Sequence, residues 1–449
     1  MKNKLRGSRG PKWHLFCFLL LQLGISKSIF SDIEAYLKNS AGQASWELLE
    51  KRELQGGDLN SYVIELQSQI WQEIPWKHRL RLLVPKGTKA SSAILIIGGS
   101  RPKPNHQSSH EDVDKLEKRG REVAAGVASP VALLYDVPNQ PLFGDLTEDR
   151  LIAETFRRYR DTKDENWPML LPMVRSAVAA MDALQSILKK EESLSIENFM
   201  LTGASKRGWT TWLTATVDPR VFGIAPMVYD NLNLRAQMQH QLDSWGKYSP
   251  SISAYTKLNL PQLLVSEEGG VTALADLVDP WTRVKALTMP KLLINGTNDP
   301  FWVLDAYEHY KDDLPGEVYL HYAPNAGHGL RAGREGVIST TVTFFKYLQK
   351  RVKWPLQEAT WGKSGATPHI HFKTDTEPFD VSLFTARNKI RDFRKVDWES
   401  ESLELEGFEA LSKLEKLKGH WQAAFLQAVY LVDGEELILS SEVRVIPPR

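Results

Sequence analysis

Ser205, Asp299 and His328 each stand in a loop directly after a short apolar run: Phe199–Thr202, Lys291–Asn295 and Glu317–Tyr322 respectively. Together those three side-chain types do one chemistry, nucleophilic acyl transfer. The serine attacks a carbonyl carbon. The histidine takes the serine proton and passes it to the leaving group. The aspartate fixes the imidazole tautomer and stabilises the imidazolium. The chain order serine, aspartate, histidine is that of α/β-hydrolases. Alternatives exist for each residue. Ser205 could simply cap a helix, Asp299 could cap the turn before Pro300, and His328 lies between Gly327 and Gly329 and could be a turn residue. Asp305 is the second candidate for the acid.

The stretch around the serine, Phe199 to Thr216 (FMLTGASKRGWTTWLTAT), reads as a strand, a sharp turn and a helix. A nucleophile elbow has that layout, because a tight turn lifts the hydroxyl clear of neighbouring side chains. The usual G-x-S-x-G spacing is broken, since Arg207 stands where the second glycine belongs and Gly208 follows it. The Lys206 backbone N–H is the candidate first oxyanion donor, and Gly99 or Ser100, after Ser92–Ile97 (SAILII), the candidate second. Lys206 and Arg207 could also draw an acidic group of a substrate, although Arg207 could instead sit in a structural ion pair. Trp209, Trp212, Trp281 and Trp302 are candidate walls of a cleft, although such tryptophans are more often core residues.

Other chemistries have little support. His106 and His110 are four apart in a loop-like stretch without a metalloprotease glutamate, and His369 and His371 share one strand face. No metal site is expected from either pair. There is no phosphate loop or dinucleotide fingerprint, so no cofactor is implied. The net charge of +1 gives no electrostatic case for nucleic acid.

The elements that must position the three residues follow an alternating rhythm. Ser31–Leu49 reads as a helix, and Ser61–Trp71 and His78–Val84 as antiparallel strands. Ser92–Ile97, Pro130–Tyr135, Phe199–Thr202, Val221–Val228, Lys291–Asn295 and Glu317–Tyr322 read as buried strands. Asp112–Val127, Leu170–Lys190, Leu304–Leu314 and Ile338–Lys350 read as helices. Strands alternating with helices predict an α/β fold, a mainly parallel sheet whose site lies at the C-terminal strand ends. Residues 230–288 break the rhythm and read as a helical cap over those ends. From Trp354 the strands lose their helices, which predicts a small antiparallel β-sandwich domain over 353–449 after a hydrolase domain over 29–352. The acidic run Glu399–Glu409 reads as a solvated loop or edge.

The N-terminus carries a different signal. Lys2, Lys4, Arg6, Arg9 and Lys12 precede the apolar run Leu15–Leu23, with Gly24, Ser26 and Ser28 after it. That is the layout of a cleaved signal peptide over 1–28, too short for a comfortable span, which predicts a secreted or periplasmic protein with no stable membrane span after cleavage. The only cysteine, Cys17, lies inside this segment, so the mature chain has no thiol chemistry and no disulfide.

Several stretches resemble the PhoPQ-activated pathogenicity-related protein family. They are SQIWQEIPWKHRLRLLVP at 68–85, IIGGS at 96–100, VPNQPL at 137–142, WPMLLPMVRSAVAAMDAL at 167–184, LTGASKRGWTTWLTATVDPRV at 201–221, YDNLN at 229–233 and ARNKIRDFR at 386–394. The resemblance implies a secreted α/β-hydrolase-like protein with a C-terminal β-domain and an elbow that carries Lys-Arg after its serine. By position it puts the triad on Ser205, Asp299 and His328. It also associates the chain with peptidase-like activity and with host-interaction or virulence roles. The sequence therefore predicts a serine hydrolase acting on a peptide or ester, with sugar esters as a further class. The alternative is an inactive hydrolase scaffold that binds a host or cell-surface partner. The oligomeric state is not legible.

Overall fold

The computed structural model describes residues 33–54, 56–99, 120–365 and 367–449. The signal peptide, Ser100, His106 and His110 lie outside the described residues, as does the first half of the helix expected over 112–127; residues 120–127 are helical.

The first strands are β1 (Ser45–Glu53), β2 (Leu59–Trp71), β3 (Ile74–Pro85), β4 (Ser92–Ile97) and β5 (Val131–Leu134). They are followed by β6 (Asn198–Ala204), β7 (Val221–Met227), β8 (Lys291–Gly296) and β9 (Val318–Ala323). Side by side they run β1-β2-β3-β5-β4-β6-β7-β8-β9. The first three pairings are antiparallel, and every pairing from β5 to β9 is parallel. The parallel strands carry short continuous apolar sequences because helices cover both faces and leave no wet side. β8 is buried at every position. The helix Leu170–Glu192 packs most of its length into the core, while Arg334–Leu348 closes the domain.

Residues 230–288 form the expected helical insertion, with helices Leu234–Trp245, Leu260–Ser266 and Val271–Val278 and shorter turns between them. The C-terminal region contributes β10 (Gln357–Ser364), β11 (Thr367–Thr374) and β14 (Glu409–Lys413) as a three-stranded antiparallel sheet. It also contributes β12 (Asp380–Asn388), β13 (Glu399–Ser402), β15 (Trp421–Val432), β16 (Glu435–Ser440) and β17 (Arg444–Ile446). These last strands continue the central sheet, because β16 meets β9 at the Ser440–Leu320 pair. The Ser440 hydroxyl accepts from the Tyr322 N–H at 3.0 Å, and Gln427 donates to the Tyr322 carbonyl at 2.9 Å. Both C-terminal sheets share one buried core, in which Ile370 and Phe372 lie with Leu426 and Tyr430.

Two expected helices differ. The helix over 31–49 stops at Ser40, and Ser45–Glu53 is an edge strand paired to β2. It is exposed along almost its whole length, so its sequence has no apolar alternation to betray it. The helix over 304–314 is replaced by two short 3-10 turns, Ala306–His309 and Lys311–Asp313. Between them Tyr310 turns inward and donates its hydroxyl to the buried Asp230 carboxylate at 2.5 Å.

Candidate active site

Ser205 sits between β6 and the helix Lys206–Ala215 with φ 58 and ψ −125. A side chain rarely adopts that backbone, and strain of this kind is what an elbow imposes on its nucleophile. The Ser205 side chain makes no capping bond to the helix, which removes the simple cap reading. Gly203 and Gly208 supply the close approach. A Cβ on Gly203 would fall 2.8 Å from the Arg207 backbone, and one on Gly208 3.0 Å from the Met227 carbonyl oxygen. The second elbow glycine is therefore Gly208, displaced by one residue, and Arg207 is free to point elsewhere.

It points into an ion cluster. Arg207 is buried, donates its Nε to the Val137 carbonyl at 2.6 Å, and places both terminal nitrogens on Glu148 at 2.8 Å. Lys206 Nζ joins Glu148 at 2.9 Å and Asp149 at 3.4 Å. Burial pushes the Glu148 carboxyl up, but the Arg207 hydrogen bonds and the charges of Arg207 and Lys206 outweigh it and hold the group well below the usual carboxylate range. The substrate contact expected of Arg207 gives way to a structural ion pair, since its guanidinium is spent on Glu148 and Val137. The two cations are thus paired with two acids, Glu148 and Asp149. Gly99 lies against the same guanidinium: a Cβ there would meet Arg207 Nη2 at 2.8 Å.

His328 follows β9 and Asp299 follows β8, on the same sheet rim as the elbow after β6. His328 Nδ1 and Asp299 Oδ2 are 2.7 Å apart. The other Asp299 oxygen accepts the Phe301 N–H at 2.8 Å, so this aspartate both caps its turn and orients the histidine. The Phe301 ring stacks on the imidazole with centroids 4.1 Å apart. His328 Nε2 is buried and has no hydrogen-bond partner among the described residues. No hydrogen bond joins it to the Ser205 hydroxyl. In uncomplexed hydrolases the contact between base and nucleophile often tightens only when substrate arrives.

Ser205, Lys206, Trp209, Phe301 and Trp302 line one cavity with the helical insertion, about 790 Å³ of atom-free space with its mouth included. Trp209 and Trp302 are thus wall residues. Trp212 is wholly buried, and the Trp281 indole donates to Asp313. The expected runner-up acid, Asp305, is taken by other partners: His240 Nε2 at 2.9 Å and Arg391 at 2.6 Å.

Residues 393–398 brace both loops of the pair. The Asn298 amide donates to the Val396 carbonyl at 2.8 Å. The Asn325 side chain accepts the Trp398 N–H at 2.7 Å and donates to the Trp398 carbonyl at 3.1 Å. Sequence reasoning missed this brace, the Phe301 stack and Glu148. The helix Glu148–Thr162 carries two acids in its first turn and an apolar face, a signal that could have flagged it. Among the described residues no group of three or more His, Cys, Asp or Glu could hold a metal, and His371 pairs with Glu409 at 3.1 Å. No helix among them is long and apolar enough to cross a membrane.

An antiparallel start, a parallel run from β5 to β9, an elbow after the central strand and the acid and histidine after the last two define an α/β-hydrolase fold. The chain belongs to the PhoPQ-activated pathogenicity-related protein family, whose model matches residues 33–394. It is 30% identical to autocrine proliferation repressor protein A of Dictyostelium discoideum, over 96% of this chain and 93% of that one. Among solved structures it is similar to acetyl xylan esterase 1 from Thermoanaerobacterium sp. JW/SL YS485, with a TM-score of 0.48 and 16% identity over 71% of this chain and 94% of the esterase. An acetyl xylan esterase from Paenibacillus sp. R4 gives 0.48 and 13% over 72% and 95%.

Proposed function

We propose that this chain is an exported serine hydrolase that transfers the acyl group of an ester or peptide to water through Ser205, His328 and Asp299. The observation that carries the reading is the imidazole of His328, tied to Asp299 on one nitrogen and open on the other, at the rim where a strained serine is presented. Ser205 Oγ attacks the carbonyl carbon as its proton passes to His328 Nε2. The oxyanion is met by the Lys206 N–H at the start of the elbow helix, with Gly99 or Ser100 as the second donor. His328 then protonates the leaving group, and water releases the acyl group from Ser205 by the same steps in reverse roles. No metal or cofactor enters this scheme.

The second reading is a hydrolase scaffold that acts by binding, favoured by the regulatory name of the Dictyostelium relative. A fluorophosphonate probe separates the two. The hydrolase reading expects labelling of the wild type and none of Ser205→Ala. An unlabelled wild type, or equal labelling of both, removes the enzyme. N-terminal sequencing of the exported protein tests removal of residues 1–28.

A further inference from the structure

We infer that the cavity under the helical insertion is an acyl pocket, so that the substrates are esters or amides whose acyl group is an apolar chain of several carbons. The inference rests on the hydrolase reading above. The wall is built from carbon: Trp209, Met238, Leu264, Leu274, Phe301 and Trp302 face it with further aliphatic side chains. Most of its polar groups are already engaged. Lys206 Nζ is held by Glu148 and Asp149, and the Tyr255 hydroxyl donates to Asp149 at 3.2 Å. The indoles of Trp209 and Trp302 donate to the Val278 and Val228 carbonyls. Asn231 Oδ1 and the Tyr229 hydroxyl are the two buried polar atoms of the wall left without a hydrogen-bond partner among the described residues. That is too little to replace the water around a sugar's hydroxyls, because each one stripped of water and left unpaired counts against binding.

The side of the scissile bond follows from which catalytic groups face the cavity. Ser205 and Lys206, the nucleophile and the first oxyanion donor, line it. His328, which must reach the leaving group, is not among the lining residues, and the Phe301 ring that does line the cavity is stacked on it. The part of the substrate in the cavity is therefore the part that stays on the serine.

Each methylene buried in such a pocket is worth about a fourfold gain in kcat/KM. The test is a series of p-nitrophenyl esters from acetate to octanoate, run beside acetates of alcohols of rising length, on wild type, Ser205→Ala and Leu274→Trp. The expected result is a kcat/KM for hexanoate at least about tenfold above acetate, with little dependence on the alcohol. Leu274→Trp fills the pocket and should cut the hexanoate-to-acetate ratio at least about fivefold. Leu264→Phe serves if melting shows that the tryptophan variant does not fold. A flat acyl series, or a gain that tracks the alcohol, overturns the acyl pocket while Ser205 labelling leaves the hydrolase standing. No turnover of any ester and no labelling of Ser205 removes the hydrolase reading, and the pocket assignment with it.

Discussion

Two histidine–aspartate pairs take their acids from one short stretch, Asp299 and Asp305, and differ in how their histidines are held. His240 is held by Asp305 at 2.9 Å on one nitrogen and faces the Ser244 hydroxyl at 3.5 Å on the other. Arg391 closes the set, placing one nitrogen on Asp305 and another on Ser244. Both imidazole nitrogens and both carboxylate oxygens there have a partner, and the serine, histidine, acid and arginine form one closed network. His328 has the same acid contact, a stacked phenylalanine in place of an arginine, and one nitrogen with nothing to hold. The difference between the pairs is one open imidazole nitrogen, which a general base would need. A serine, a histidine and an aspartate in contact are not enough.

The comparison breaks most sharply when each histidine is replaced in turn. His328→Gln should lower kcat/KM on the best ester by about 10⁴ while the melting temperature barely moves. His240→Gln should do the reverse, with a lower melting temperature and kcat within about tenfold of wild type. Equal activity losses in the two variants would sink the distinction.

Arg391→Met tests the closed pair from its other side. Removing the cation leaves Asp305 buried against His240 alone, and breaking such a pair costs about 3 kcal/mol, read by denaturant unfolding. Burial pushes the Asp305 carboxyl up, and the hydrogen bond from His240 with the charges of His240 and Arg391 more than offsets it, so the group titrates below its usual range. Its stabilising contribution is present above the unfolded carboxylate range and is lost as pH falls. The arginine variant should therefore show a weaker loss of stability on acidification than wild type.

The smallest effect concerns a third histidine, His321, which is buried with its Nδ1 lacking a hydrogen-bond partner among the described residues. Burial pushes its pKa from 6.5 down to about 4. A base that stays neutral when folded but charges when unfolded makes stability fall as pH drops from 6.5 toward 4. The loss should reach about 1.5 kcal/mol by roughly pH 5, and His321→Leu should flatten that part of the profile. An unchanged slope in the variant would reassign it to the carboxylates.

Much of this is legible in the sequence, and the failures have two distinct causes. SAILII at 92–97 is a strand over those same residues, because a doubly covered strand must be apolar throughout. The three loops at one rim followed from chain order and from where parallel strands end. The Asp299–His328 contact was expected, and the partnerless Nε2 was not, since only packing decides which atoms go without partners. Arg207 misled as an apparent defect in the elbow spacing and as a substrate contact. Its role depends on Glu148, 59 positions away in sequence, and no local pattern shows that pairing. Ser45–Glu53 failed for the opposite reason, because an edge strand facing water needs no pattern and its Glu, Leu and Lys residues favour a helix on their own.

The clasp of residues 391–398 on the acid loop, the histidine loop and the cap has a consequence in time. The chain leaves the ribosome from its N-terminus, so Ser205 emerges almost two hundred residues before Trp398 ties down the loop of His328. Until then the imidazole has Asp299 and Phe301 to hold it, but its loop lacks the Asn325–Trp398 tie. A nascent chain halted near residue 390 would already hold its serine, aspartate and histidine, yet lack the stretch that steadies two of them. Both loops are therefore complete only once residues 393–398 have joined them.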